Sequence, residues 1–375
     1  MSVISDWFSR LFSKTANHYV FAPIPAERQD RPVKGVTLKA EEHYFRIWVS
    51  EMFLKDDRRL FREFVPVVHS AINLTFGTSS GHQQELPYVA GPLQIGLGST
   101  LGKGVQINHP LTNQLPFRGG LITVSAGLVA YKRNDYFQGF LGILNDVSGL
   151  FNVGQLSSTI KVVGGVADGI QNLLGAGDKD VHLVYFEGFG GETDSGGSSF
   201  ESGYRAIIQA DARTFDKSKL YVKESGLCYG NSLASSLPLE GYDYMLLRFE
   251  VTDHRDDFRS FEEFARLIAE AIKAGLEDKS KGDEIIKGAK SLAFASPDLT
   301  LVDRIRVGKA IQKEYEETLT SLERVERPEK DRTESFNEAV KGIPVSLAKN
   351  RLEEAFESGR LDYHKFMKVV ETCEN

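Results

Sequence analysis

The β-type texture running from Val33 to about Glu250 limits the fold of this chain more than any other feature. The stretches 42–54 (EHYFRIWVSEMFL), 65–77 (VPVVHSAINLTFG), 119–132 (GGLITVSAGLVAYK), 181–189 (VHLVYFEGF), 203–211 (GYRAIIQAD), 218–230 (SKLYVKESGLCYG) and 242–251 (YDYMLLRFEV) are rich in β-branched and aromatic residues. Most alternate apolar with polar positions, and most close on Gly, Asn or Asp, which turn a chain between strands. Such a series predicts an antiparallel β-sandwich-like domain over 33–255.

One insertion interrupts it. Between the strands ending at Lys132 and starting at Val181, apolar residues recur at helical spacing: Phe140, Leu144, Val147 and Phe151, then Ile160, Val163, Val166, Ile170, Leu173 and Leu174. That period predicts a helical hairpin over 137–175. Its arms, 137–151 and 158–175, carry only Asp146, Lys161 and Asp168 as charges. A helix that lies on anionic lipid shows lysine and arginine on its polar face, and each arm is too short to span a bilayer. The composition suits packing against the β-domain, with membrane insertion as the alternative.

From Asp256 the period changes from two to 3.6. "SFEEFARLIAEAIKAG" (260–275) predicts a helix capped by Ser260, with Glu263 completing a capping box and Gly275 ending it. A second helix comes next, and a third is expected to start with Ser296 as cap and Pro297 in the first helical position. The fold class is therefore α+β, a sandwich-like domain followed by an α-helical region over 256–322. A charged stretch at 323–334 reads as a linker, and 335–375 as a small helical module. At the other end, residues 1–17 are expected to form an amphipathic helix with Ile4, Trp7, Phe8, Leu11 and Phe12 on one face. The proline-rich segment 18–32 after it reads as an extended linker.

The totals exclude several functions. Across 375 residues the net charge is -7, which opposes general nucleic-acid binding because phosphate contacts need a basic surface. Two cysteines, Cys228 and Cys373, make no disulfide framework, so a reducing, cytoplasmic setting is expected. No uncharged apolar run reaches the roughly 18 residues of a transmembrane helix.

No motif carries an enzymatic constellation. "TDSGGSS" (193–199) resembles the nucleophile loop of chymotrypsin-like proteases, but no upstream histidine has that family's context. Cys228 in "SGLCYGNS" reads as a strand cysteine rather than a nucleophile, leaving serine or cysteine hydrolysis through Ser195 or Cys228 as the weakest reading. "DHRDDF" (253–258) groups His254, Asp256 and Asp257 without a metal-binding spacing and reads as helix capping. Gly-rich 91–104 lacks a phosphate-loop order, and the end "FESGRLDYHKFMKVV" resembles half a calcium-binding hand without its carboxylates. No catalytic residue, metal or cofactor is assigned.

Two functions remain in view. One is a non-catalytic binding or adaptor protein that contacts protein partners, or another copy of itself, through its terminal helices. Ile4, Trp7, Phe8, Leu11 and Phe12 are the expected partner-binding residues. The other is a membrane-acting effector that uses the hairpin residues Phe140, Leu144, Val147, Phe151, Val163, Val166 and Ile170. A component of a prokaryotic multi-protein system, for example in antiphage defence, is compatible with either.

Overall fold

The computed structural model describes residues 19–56, 58–59, 62–75, 83–91, 105–132, 155, 157, 179–190 and 198–325. In chain order the first strands are β1 (Tyr19–Ile24), β2 (Tyr44–Phe53), β3 (Arg58–Arg59), β4 (Arg62–Thr75) and β5 (Gln83–Ala90). Next come β6 (Val105–Pro110), β7 (Leu115–Pro116), β8 (Ile122–Lys132), β9 (Lys179–Gly190) and β10 (Ser198–Ser199). The last are β11 (Gly203–Gln209), β12 (Leu220–Lys223), β13 (Gly226–Tyr229), β14 (Leu237–Pro238) and β15 (Tyr244–Thr252). Helices α1 (Glu262–Glu277), α2 (Lys279–Ala295) and α3 (Leu301–Val325) complete the described chain.

The strands build two larger sheets. The first has the order β1-β11-β15-β2-β6, with β7 also beside β2. The second has the order β10-β9-β8-β4-β3, with β5 also beside β4. Pairing is antiparallel throughout these sheets except between β9 and β10. Alternation places Phe45, Ile47, Val49, Leu247 and Phe249 of the first sheet and Val68, Ile72, Val124, Leu128 and Leu183 of the second in one buried core. This is the sandwich expected from the sequence, within an α+β chain.

The second sheet is apolar on its other face as well. Val65, Val67, Val89, Val129 and Val184 alternate with the core residues and are also fully buried. Strands buried on both sides read as nearly continuous apolar runs, which is why "VPVV" and "GLVAY" break the alternation. On this face Tyr131 Oη lies 2.8 Å from His69 Nε2, so the two buried polar groups satisfy each other. Pro66 is tolerated inside β4 because β3 pairs only at Arg62 and Glu63 and β5 only from Val68 onward.

A small third sheet, β12-β13-β14, covers part of the first sheet's outer face. Val20, Ala22, Phe53, Tyr204, Leu220, Val222, Leu227 and Leu246 bury one another there. Glu51 reaches under it and accepts the Leu227 N–H at 2.7 Å. Burial pushes the Glu51 carboxyl above its ordinary value, although the Leu227 and Tyr244 hydrogen bonds oppose the shift.

The structure departs from the sequence reading at several boundaries. Residues 18–32 are expected from sequence to be a linker, but Tyr19–Ile24 form β1, paired to β11 at the edge of the first sheet. An edge strand tolerates Pro23. The buried Gln29 side chain then fixes the path of the chain beyond β1 by bonding Ile24 O and Val33 N, each at 2.8 Å. The first helix starts at Glu262 with Phe261, not Ser260, at its cap. Ser260 instead donates to Asp257 O. Gly275 lies inside that helix rather than ending it, and a Cβ there would sit 2.7 Å from the Tyr315 hydroxyl, so the close packing of α3 requires glycine. Helix α3 starts at Leu301, with Thr300 Oγ1 accepting the Asp303 N–H, while Ser296 and Pro297 lie in the α2–α3 connection. Its end, Val325, takes in the start of the charged 323–334 stretch.

The partner-binding set Ile4, Trp7, Phe8, Leu11 and Phe12, the hairpin arms 137–151 and 158–175, and the module 335–375 lie outside the described residues. No helix among the described residues is long and apolar enough to cross a membrane.

Candidate functional site

Strand β2 organises the outer face of the first sheet into three zones. At its far end Phe53 stacks on Tyr244 beneath the small sheet, with ring centroids 5.4 Å apart. At its start Tyr44 meets the helical region. Between them Arg46 and Trp48 face Glu250 and Arg248 of β15 across the ladder. Inward alternation of Phe45, Ile47 and Val49, and of Leu247 and Phe249, leaves these four side chains on the outer face.

The Tyr44 zone is a buried polar joint. Tyr44 Oη donates to Asp303 Oδ2 at 2.8 Å and accepts the Thr300 N–H at 3.0 Å. Burial, then the Asp303 charge, pushes the Tyr44 phenol above its ordinary value, so it stays a donor. Asp303 also accepts the Arg255 N–H at 3.2 Å and the Arg306 guanidinium. Arg255, only 1% exposed, forms a two-pronged pair with Asp257 at 2.6 Å per bond. Its guanidinium carbon lies 4.7 Å from the Phe261 ring centroid and 5.7 Å from that of Tyr44. Arg118 adds a second tie, donating to Pro297 O at 2.8 Å and Leu299 O at 2.9 Å. The "DHRDDF" stretch is thus a joint between sheet and helices. His254 pairs with Asp253 and Asp256 at the surface.

The middle zone is less complete. Trp48 Nε1 donates to Glu250 Oε2 at 2.8 Å, while Arg46 and Arg248 approach the indole with guanidinium carbons 5.4 and 4.6 Å from its centroid. Neither arginine's buried Nε has a hydrogen-bond acceptor among the described residues. Beside Arg46 opens a cavity of about 120 Å³, lined by Thr112, Asn113, Gln114, Arg255 and Asp257 as well. Burial pulls the Arg46 guanidinium below its ordinary value; Glu250 and Asp257 oppose this, and Arg255 and Arg248 reinforce it. Guanidinium groups with an aromatic platform and unsatisfied donors suit recognition of planar anionic groups.

The sequence reading assigns none of Arg46, Trp48, Arg248, Glu250 or Arg255 to a site. Their signal lies in the alternation itself, as polar or amphipathic residues at outward positions of two strongly apolar strands. Of the weaker hydrolase candidates, Cys228 is buried in β13, where desolvation raises its thiol above the ordinary value and disfavours the reactive thiolate. Ser195 lies outside the described residues.

One contact reaches the segment between the hairpin arms. Ser157 donates its N–H to Asp298 Oδ1 at 2.9 Å and its hydroxyl to Oδ2 at 2.6 Å, and Asp298 is 1% exposed. Asp298→Ala is expected to remove both charge-assisted bonds, costing about 2–3 kcal/mol. Limited proteolysis should then cut near Ser157 faster than in the parent protein; an unchanged rate there would show that other contacts hold this point.

No family model matches the chain, and comparison with curated proteins and with solved structures finds no match.

Proposed function

We propose that this chain is a non-catalytic binding or adaptor protein of a cytoplasmic multi-protein system, engaging a protein partner across the open middle zone of the first sheet. The observation that carries this reading is the Arg46–Trp48–Arg248 surface. Tryptophan and arginine dominate the energetics of protein interfaces, and the two arginine Nε groups here are buried without an acceptor among the described residues. A net charge of -7 supports a protein rather than a nucleic-acid partner. The N-terminal face of Ile4, Trp7, Phe8, Leu11 and Phe12 is proposed as a further contact element. Release of the 137–175 hairpin to a membrane would cost Ser157 its two bonds to Asp298, which favours a docked hairpin over a membrane-acting one.

The test is site-specific photo-crosslinking in the native host. A benzoylphenylalanine placed at Trp48 or at Pro110, its neighbour across the ladder, should yield the same discrete protein adduct. The same probe at exposed Arg213 should not. Identical adducts from all three positions, or none from Trp48 and Pro110, would overturn the reading.

A further inference from the structure

The cavity beside Arg46 has a charge and donor balance that specifies what it accepts. Arg46, Arg248 and Arg255 stand against Glu250 and Asp257, leaving one positive charge in excess. The carboxylates are already engaged: Asp257 takes both prongs of Arg255, and Glu250 takes the Trp48 N–H. The Arg46 Nε, in contrast, has no acceptor among the described residues, and its guanidinium lies against the face of Trp48. Asn113 and Gln114 add amide groups to the wall, and Gln114 is held in place by bonds to Thr252 Oγ1 at 2.7 Å and His254 O at 2.9 Å. The Nε itself is closed to solvent, so an oxyanion in the cavity would meet the half-buried Arg46 through its terminal guanidinium N–H groups, which form short charge-assisted bonds with such anions.

We propose that this pocket binds an oxyanion group, a carboxylate or phosphate borne by an acidic peptide segment of the partner, with Arg46 as its principal ligand. The identity of the bearer rests on the proposed binding function; the oxyanion chemistry rests on the pocket alone. Arg248 and Trp48 form the platform along which the flanking peptide lies, and Arg255 contributes field while remaining paired to Asp257. The cavity admits a group the size of a phosphate or a carboxylate and its adjoining methylene.

Trp48 is one of two tryptophans, so Trp7→Phe makes the intrinsic tryptophan fluorescence report on this zone alone. Inorganic phosphate and succinate are titrated into that protein at constant ionic strength. A saturable change is expected with at least one of them, and the one that binds tighter names the oxyanion. Adding Arg46→Met should weaken binding by about tenfold, the equivalent of one charge-assisted hydrogen bond. Exposed Arg213→Met should leave it unchanged. Arg46→Lys serves as a second variant, keeping the charge while losing the planar donor set, and should fall between these limits. Absence of saturation with both anions, or equal binding by the Arg46→Met and parent proteins, overturns the proposal. The two readings fail separately. Anion binding without a Trp48 crosslink removes the partner reading and keeps the oxyanion site; a crosslink without saturable anion binding removes the oxyanion site and keeps the partner.

Discussion

Asp303→Ala is expected to lower the unfolding free energy by about 2–5 kcal/mol, the cost of leaving a buried hydroxyl and a buried N–H without their acceptor. The Asp303 carboxylate is buried and serves the Tyr44 hydroxyl, the Arg255 N–H and the Arg306 guanidinium together. Alanine leaves the buried Tyr44 hydroxyl and Arg255 N–H facing an apolar methyl group, whereas the partly exposed Arg306 guanidinium can turn to water. Asp303→Asn retains one acceptor and is expected to lose less, about 1–3 kcal/mol. Denaturant unfolding at neutral pH checks both values. The helical region is joined to the sandwich largely through Tyr44, Arg118 and Asp303, so the alanine variant should also lose helix signal ahead of the near-ultraviolet aromatic signal of the sandwich core. A loss below about 1 kcal/mol with one coincident transition would mean that this joint does not hold the two parts together.

The second large effect is expected at Phe200. Its ring, 1% exposed, lies 5.2 Å from Phe45, 5.1 Å from Phe189 and 5.1 Å from Phe249, the meeting point of both sheets. Arg205 closes the cluster, with its guanidinium carbon 4.8 and 4.6 Å from the Phe189 and Phe249 centroids, and is itself held by Glu187 at 2.7 Å. A fixed rim of this kind hinders collapse into a vacated space. Phe200→Ala should therefore cost about 3–5 kcal/mol, through lost transfer energy and a retained cavity. Phe200→Leu refills most of the volume and should cost under about 2 kcal/mol. If the alanine variant is no less stable than the leucine one, the cluster rearranges and is not a rigid centre.

The strands are legible where alternation or β-branching is strong, because side chains pointing to opposite faces leave a period of two in the sequence. Strand β1 is hidden by Pro23 and Pro25, which are linker signals unless the strand lies at an edge. Strand β6 is hidden by its glycine-rich approach. Helix caps mislead for a different reason. Ser260 and Ser296 are good local cap residues, but the chain uses Thr300 at α3, where the Tyr44 hydroxyl fixes the turn from outside by accepting the Thr300 N–H. The candidate site requires register. "FRIWVS" and "LLRFEV" each display their outward residues, but only pairing of β2 with β15 brings Trp48 opposite Arg248 and Arg46 opposite Glu250. Nothing local to either strand encodes that pairing.

The order of strands in the two sheets has a consequence for synthesis. The second sheet draws its main ladder from β4, β5, β8 and β9, and that ladder can form once residue 190 has emerged. The first sheet closes much later: Val20 pairs with Ile208, and Phe45 with Val251. Its oldest strands must wait for its youngest. Until then β2 presents Phe45, Ile47 and Val49 without the neighbour that covers one ladder edge, a long-range closure of the kind that slows folding. A nascent chain halted just before β15 therefore holds a finished sheet beside an open apolar one, the state in which a polypeptide is most prone to pair with another copy of itself or to be held by a chaperone.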